Sequence, residues 1–144
     1  MKTRIKIDQT EPAGYRAVLG LEKFIEGTPL TKTHKDLIKI RASQINGCAF
    51  CIDMHTKDAR KAGETEQRIY ALNAWRDTPF FTEEERAILA LTEEVTLISN
   101  HVKDETYEQA AKVLTETYLA QVILAIITIN VWNRIGITTN LIPA

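Results

Sequence analysis

Apolar side chains recur along this chain at steps of three and four residues, the spacing of a helix face rather than the alternation of a strand. One such stretch has a clear start, because Thr82 and Glu85 form a capping-box pattern followed by Ile88, Leu91 and Val95. Six further helices are predicted at residues 11–26, 33–45, 48–62, 66–75, 104–114 and 116–135. Strand-like alternation is confined to residues 4–7. The pattern predicts an all-α bundle of about seven helices, forming a single domain over residues 1–144.

Short-range signals place the ends of these helices. Thr10 is the expected cap of the first helix, and Gly27 its stop. The dipeptide Asn46-Gly47 is expected to break the chain before Cys48, so that Cys48 begins a new helix.

The last predicted helix is apolar on most of its sides. The members of this set are Leu119, Val122, Ile123, Leu124, Ile126, Ile127, Ile129 and Val131. A helix that is apolar all round must be buried all round, which is difficult in a small domain. We therefore expect homo-oligomerisation, with a central core helix as the alternative. The continuous apolar run is much shorter than the roughly 20 residues of a membrane span, so a membrane anchor is not expected.

Composition excludes several classes of protein. The 144 residues carry 18 basic and 19 acidic side chains, for a net charge of −1, so the basic patch of a nucleic-acid-binding domain is absent. Residues 1–8 lack the apolar core of a secretory signal. The two cysteines lie close together, whereas a secreted disulfide scaffold has more of them at longer separations. We therefore expect a cytoplasmic protein.

The chemistry that the sequence offers is concentrated at Cys48, Cys51 and His55. Steps of three and four residues place these side chains on one face of a helix, where the two cysteines are close enough to form a disulfide. A helix start favours a thiolate, and a nearby imidazole can hold or relay a proton. One cysteine oxidised to a sulfenic acid can then condense with the other.

Two alternatives compete with redox chemistry for this pair, a metal site and unreactive thiols. Zinc usually requires four ligands, and the chain has no second CxxC. Haem attachment requires histidine directly after the second cysteine, where Ile52 stands. Redox chemistry is therefore preferred, and no metal ligand is predicted.

The residues around the pair resemble a known family. The run Arg41-Ala-Ser-Gln-Ile-Asn-Gly-Cys-Ala-Phe-Cys51, continued by Ile-Asp-Met-His-Thr56, is similar to the alkyl hydroperoxidase D-like core of the carboxymuconolactone decarboxylase superfamily. Residues 129–134 resemble its final helix, and the likeness extends over about residues 12–136. It implies the all-helical hydroperoxidase D-like fold, in homo-oligomers that are often trimers or hexamers.

The resemblance also implies an activity. Peroxides would be reduced by Cys48 and Cys51 with His55, a protein dithiol would recycle the pair, and no haem, flavin or metal cofactor would be needed. The decarboxylase branch lacks the cysteine pair, which argues against lactone chemistry here. The family's proton-relay glutamate lies twelve residues before the first cysteine, where this chain has Asp36. The alternative for Asp36 is a capping pattern with Thr33.

Other polar side chains receive less weight. Trp132 and Asn133 are either walls of the site or core residues, and His34 and His101 are expected to be solvated.

The predicted function is thus that of a thiol-dependent peroxidase. The family likeness favours Cys51 as the attacking sulfur, whereas the position at a helix start favours Cys48, and the choice stays open. The competing functions are a non-enzymatic redox sensor or structural thiol protein, and a lactone decarboxylase-type enzyme on the same fold.

Overall fold

The fold is known from a computed structural model that describes residue 2 and residues 4–144; Met1 and Thr3 lie outside the described part. It is built from helices, in the order α1 (Ile7–Thr10), α2 (Pro12–Glu26), α3 (Lys32–Asn46), α4 (Ala49–Lys61), α5 (Glu66–Tyr70), α6 (Glu83–Thr96), α7 (Asp104–Val113) and α8 (Glu116–Thr138). Two short 3₁₀ helices, Leu72–Asp77 and Ile98–Asn100, follow α5 and α6. No strand occurs in the described residues. The predicted all-α class is confirmed.

The capping chemistry confirms one predicted boundary and corrects others. Thr82 and Glu85 form the full capping box at the start of α6. Thr10 does not cap the first long helix, because it ends the separate turn α1, and Glu11 precedes Pro12 without a side-chain cap. Thr31, not Thr33, caps α3 by accepting the backbone N–H of His34. Asp36 therefore has no capping role.

Two predicted segments have a different conformation from the one expected. Residues 4–7 do not form a strand, since Ile7 begins the short helix α1. The predicted helix 66–75 is divided, because α5 ends at Tyr70 and a separate 3₁₀ helix begins at Leu72. That 3₁₀ helix is itself kinked at Ala74 (φ −120°, ψ 27°). The prediction of one continuous helix was wrong there.

The main core lies where α3, α6 and α8 pack together, with α4 against α3. Its fully buried side chains are aliphatic and include Ile38, Ile88, Val122, Ile126 and Ile129. Burial of one such side chain is worth about 1.5–3 kcal/mol. These helices form a rigid frame that holds the ends of α3 and α8 next to the start of α4.

The last helix, α8, runs through this core and also reaches the surface. Its buried face includes Leu119, Val122 and Ile126, while Leu124 and Ile127 remain 39% and 43% exposed. By length and hydropathy alone α8 meets the criterion for a membrane span, but 44% of its apolar window is buried inside the protein. One face of α8 is therefore part of the core, as the core-helix alternative predicted. The other face is exposed and apolar, so self-association through it stays a prediction.

A smaller core lies beside α5, where an ion pair connects α5 to α6. Arg68 donates to Glu85 through both terminal nitrogens (3.0 and 2.8 Å) and lies over the ring of Phe81. Burial opposes ionisation of Glu85, but the hydrogen bonds from Arg68 and from the Thr82 backbone lower its pKa overall. The same carboxylate thus closes the capping box of α6 and anchors α5.

Candidate active site

The turn between α3 and α4 places the two cysteines. Gly47 has left-handed dihedral angles (φ 70°, ψ 35°), which glycine adopts without steric cost, and so ends α3 as the Asn46-Gly47 break predicted. Cys48 is extended (φ −82°, ψ 96°) and its Sγ accepts the backbone N–H of Cys51 at 3.3 Å. Cys48 is therefore the N-cap of α4 rather than a residue of the helix.

Cys48 and Cys51 are joined by a disulfide, with their Cα atoms 5.3 Å apart. Both are almost completely buried, at 2% and 3% exposure. Gly136 of α8 lies against them: a Cβ at that position would be 3.1 Å from Cys48 Sγ and 3.6 Å from Cys51 Sγ. The absence of a side chain at residue 136 thus lets α8 approach the disulfide closely.

A ladder of hydrogen bonds between side-chain amides, those of Asn46, Asn130 and Asn133, joins the end of α3 to α8. Asn46 donates to the side-chain oxygens of both Asn130 and Asn133, each at 2.9 Å. Asn133, fully buried, donates in turn to Ser43 Oγ at 2.9 Å. These contacts give a physical reason for the Ser43 and Asn46 positions of the motif, and they make Asn133 a buried support of the site rather than a wall of it.

His55 and Cys51 face a common cavity of about 610 Å³. Four residues apart on α4, they share the face predicted by their spacing. His55 has no side-chain hydrogen bond to another described residue and is 8% exposed. Burial, followed by the charge of Lys39, lowers its pKa to about 4. The imidazole is therefore neutral near neutral pH, and its free nitrogen lone pair is a weaker base than that of an exposed histidine.

The walls of this cavity come from five helices and the C-terminal segment. Most of the lining is apolar or aromatic, contributed by Leu19, Phe50, Met54, Trp132, Ile135 and Leu141. The turn α1 closes one side, and the chain before it is held by Arg4, which donates to the carbonyl of Thr138 at 2.7 Å. Trp132 is therefore a wall residue, one of the two roles predicted for it.

Glu22 is one of the carboxylates that line the cavity, and both of its oxygens are held by other side chains. Its Oε1 accepts from Lys39 Nζ at 2.9 Å and its Oε2 from Trp132 Nε1 at 3.1 Å. No role was predicted for Glu22 from the sequence. The available signal was its spacing, which places Glu22 on the same side of the helix as Tyr15, Leu19 and Ile25.

Asp36 is placed differently from Glu22. It is buried and paired with Lys32, and it is not among the residues that line the cavity. Burial raises the pKa of Asp36, and Lys32 opposes that rise. The structure therefore brings Cys48, Cys51 and His55 together, and Asp36 does not line the cavity.

The two remaining histidines lie away from the cysteines. His34 was expected to be solvated, but it is 7% exposed, and its Nδ1 lies 2.6 Å from the hydroxyl of Tyr118. His101 is exposed, as predicted. Within the described residues no group of three or more His, Cys, Asp or Glu side chains could hold a metal ion.

The helical fold, with a cysteine pair at a helix start and a buried histidine one turn later, defines a class of dithiol-bearing α-helical proteins. Comparison with known proteins gives the family: residues 12–94 match the carboxymuconolactone decarboxylase family, and the chain belongs to it. The resemblance seen in the sequence is thereby confirmed.

Individual relatives agree with this assignment. The uncharacterized protein YdfG of Bacillus subtilis is 47% identical over 138 residues, which are 95% of this chain and 94% of YdfG. A crystal structure from Agrobacterium tumefaciens superposes with a TM-score of 0.96 at 38% identity, over 99% of both chains. That protein is of unknown function and has been proposed to be the antioxidant defence protein AhpD.

A more distant structure shows the same fold with another activity. The debrominase Bmp8, solved in complex with a tribromopyrrole, superposes with a TM-score of 0.78 at 20% identity. The likeness covers 92% of this chain and 71% of Bmp8. At this identity it supports the fold alone.

Proposed function

We propose that this protein is a thiol-dependent peroxidase that reduces organic hydroperoxides through a Cys48–Cys51 dithiol–disulfide cycle. The observation that carries the proposal is that Cys51 shares a substrate-sized cavity with a neutral, buried His55, while Cys48 lies directly behind it in disulfide distance. A nucleophile, a proton acceptor and a resolving thiol are the three groups that such a cycle requires.

Cys51 is assigned as the attacking sulfur because it lines the cavity and Cys48 does not. His55 accepts the Cys51 thiol proton, and the thiolate attacks the terminal oxygen of the hydroperoxide. The S–O bond forms as the O–O bond breaks, and the leaving alkoxide takes the proton from His55, which gives an alcohol and a Cys51 sulfenic acid.

Cys48 then resolves the sulfenic acid. Its sulfur accepts the Cys51 N–H at the start of α4, an environment that favours a thiolate. Attack on the sulfenic sulfur forms the disulfide and releases the hydroxyl as water after protonation. A protein dithiol reductant restores both thiols and is itself oxidised to a disulfide.

The charges of the cavity favour a neutral substrate. Two ammonium groups, Lys6 and Lys39, stand against four carboxylates, those of Asp8, Glu22, Glu26 and Asp58. A hydroperoxide that carries its own carboxylate would be repelled by this net negative charge, whereas cumene hydroperoxide would meet apolar walls. We expect a higher kcat/KM for cumene hydroperoxide than for a fatty-acid hydroperoxide.

Counting free thiols tests the cycle directly. One equivalent of cumene hydroperoxide is added to the reduced protein, to Cys48→Ser and to Cys51→Ser. We expect the wild type to lose both thiols, Cys48→Ser to stop at a sulfenic acid, and Cys51→Ser to keep its single thiol. Survival of both wild-type thiols would refute the proposal.

A matched pair of histidine variants tests the proton acceptor. His55→Asn is expected to slow thiol loss by about a hundredfold, within the usual contribution of a general base. His101→Asn, at an exposed position away from the cavity, is the control and should react at the wild-type rate.

Turnover separates the competing functions. With excess dithiol the peroxidase consumes many equivalents of hydroperoxide, whereas a redox sensor stops after one. A lactone decarboxylase-type activity would survive simultaneous replacement of both cysteines by serine, and the peroxidase would not.

We further propose that the protein forms homo-oligomers, trimers or hexamers as the family likeness implies, through the exposed apolar face of α8. Ile127→Lys should reduce the mass measured by light scattering, while Tyr70→Lys, at an exposed apolar position on α5, should not. A wild-type monomer would contradict this. The cytoplasmic location stays a prediction.

A further inference from the structure

The ion pair between Glu22 and Lys39 is the most constrained charged feature of the cavity. Glu22 belongs to α2, Lys39 to α3, and Trp132, which donates to the second oxygen of Glu22, to α8. The two charged side chains are only 20% and 18% exposed. Both carboxylate oxygens are therefore held from different helices, and the group is fixed in position before any substrate binds.

Glu22 and Lys39 have opposite effects on the pKa of His55. Burial lowers the pKa of His55 most, Lys39 lowers it further, and Glu22 is the first of the carboxylates that raise it. Asp58 of α4 also raises it and Lys32 of α3 also lowers it. The other charged groups that line the cavity are Lys6, Asp8 and Glu26.

A proton taken up from Cys51 would turn His55 into an imidazolium in this buried setting. An imidazolium needs an opposite charge nearby, because burial without one disfavours the charged form. Two carboxylates that raise the pKa of His55, those of Glu22 and Asp58, line the cavity, and Glu22 has the larger effect and is the one held by other side chains. Asp36 does not line the cavity, and its carboxylate is bound to Lys32.

We propose that Glu22 is a positioning residue for the reaction, whose carboxylate, held by Lys39 and Trp132, stabilises the His55 imidazolium formed when Cys51 is deprotonated. In the family pattern, a carboxylate twelve residues before the first cysteine has this role. In this chain we assign the role to Glu22 of α2 instead. This inference rests on the proposed function, since it concerns the proton transfer of that cycle.

The first test measures the titration of His55 by NMR in the oxidised protein and does not depend on activity. Glu22→Gln removes the charge and keeps the shape of the side chain, with one acceptor oxygen left for either Lys39 or Trp132. We expect it to lower the pKa of His55 by about one unit. The control is Asp53→Asn, which removes a carboxylate from a comparable lysine pair, with Lys57, on the exposed side of α4. It should leave the titration unchanged.

The second test follows thiol loss with cumene hydroperoxide as a function of pH. Glu22→Gln should slow it on the order of tenfold, less than the loss of His55 itself, and shift the pH profile as the His55 titration shifts. Asp53→Asn should match the wild type.

Three results decide between the carboxylates and separate this inference from the proposed function. Unchanged titration and rate in Glu22→Gln would overturn the inference. The inference would also be overturned if Asp36→Asn, and not Glu22→Gln, shifted the His55 titration and slowed thiol loss. Asp36, at the position of the family's glutamate, would then be the supporting carboxylate. If the wild-type thiols do not react at all, the proposed function fails, and the NMR titration alone decides whether Glu22 supports the imidazolium.

Discussion

Replacement of Gly136 by alanine tests how closely α8 and the disulfide depend on each other. The added Cβ would be 3.1 Å from Cys48 Sγ, well inside the roughly 3.5–4.0 Å of an ordinary non-bonded contact. Alanine in a helix gains about 1 kcal/mol over glycine, while overpacking a buried site costs about 1–3 kcal/mol. The oxidised protein should therefore be destabilised by about 1 kcal/mol net.

The reduced protein should respond differently to the same substitution. A free thiol at Cys48 can rotate away from the new methyl group, so the helix gain should dominate and stabilise the reduced form. The difference of about 2 kcal/mol between the two forms corresponds to a disulfide potential about 40 mV more positive. Gly20→Ala is the matched control, since nothing lies within 4 Å of a Cβ there.

The assays are urea unfolding of both redox forms and equilibration of the disulfide with a dithiol buffer. Gly20→Ala should stabilise both forms by up to about 1 kcal/mol and leave the potential unchanged. Equal stabilisation of the oxidised protein by Gly136→Ala and Gly20→Ala, with no change in potential, would refute the packing argument.

Three further outcomes follow from buried polar groups. The folded pKa of His55 lies near 4, below its unfolded value of 6.5, so the unfolded state binds the proton first as pH falls. The free energy of unfolding should therefore fall by up to about 3 kcal/mol between these pH values. Urea unfolding of His55→Gln as a function of pH should lack this loss. Asn133→Ala removes hydrogen bonds to Ser43 and Asn46 and should cost about 2 kcal/mol in urea unfolding, and a cost near zero would contradict the supporting role of the ladder. The folded pKa of Glu85 is depressed, so the stability that its charge contributes is present above the unfolded pKa and lost as pH falls through the folded one; thermal unfolding of Glu85→Gln should show less of that acid loss.

The features that the sequence predicted correctly are local ones. The capping box of α6 joins residues three apart, the break at Gly47 depends on one residue's dihedral freedom, and Cys51 and His55 share a helix face because they are four apart. The errors at the helix boundaries arose where several capping residues compete within a few positions, as Thr31 and Thr33 do.

The pairing of distant residues at the site depends on the tertiary fold. Trp132 reaches Glu22 across 110 positions of the chain, and Asn133 reaches Ser43 across 90. The pattern of neighbouring residues does not specify such pairings, because they depend on how α2, α3 and α8 pack around a shared core. Local spacing was therefore sufficient to predict a redox-capable cysteine pair with a histidine one turn away. The packing of the helices buries His55 and places Glu22, but not Asp36, among the carboxylates that line its cavity.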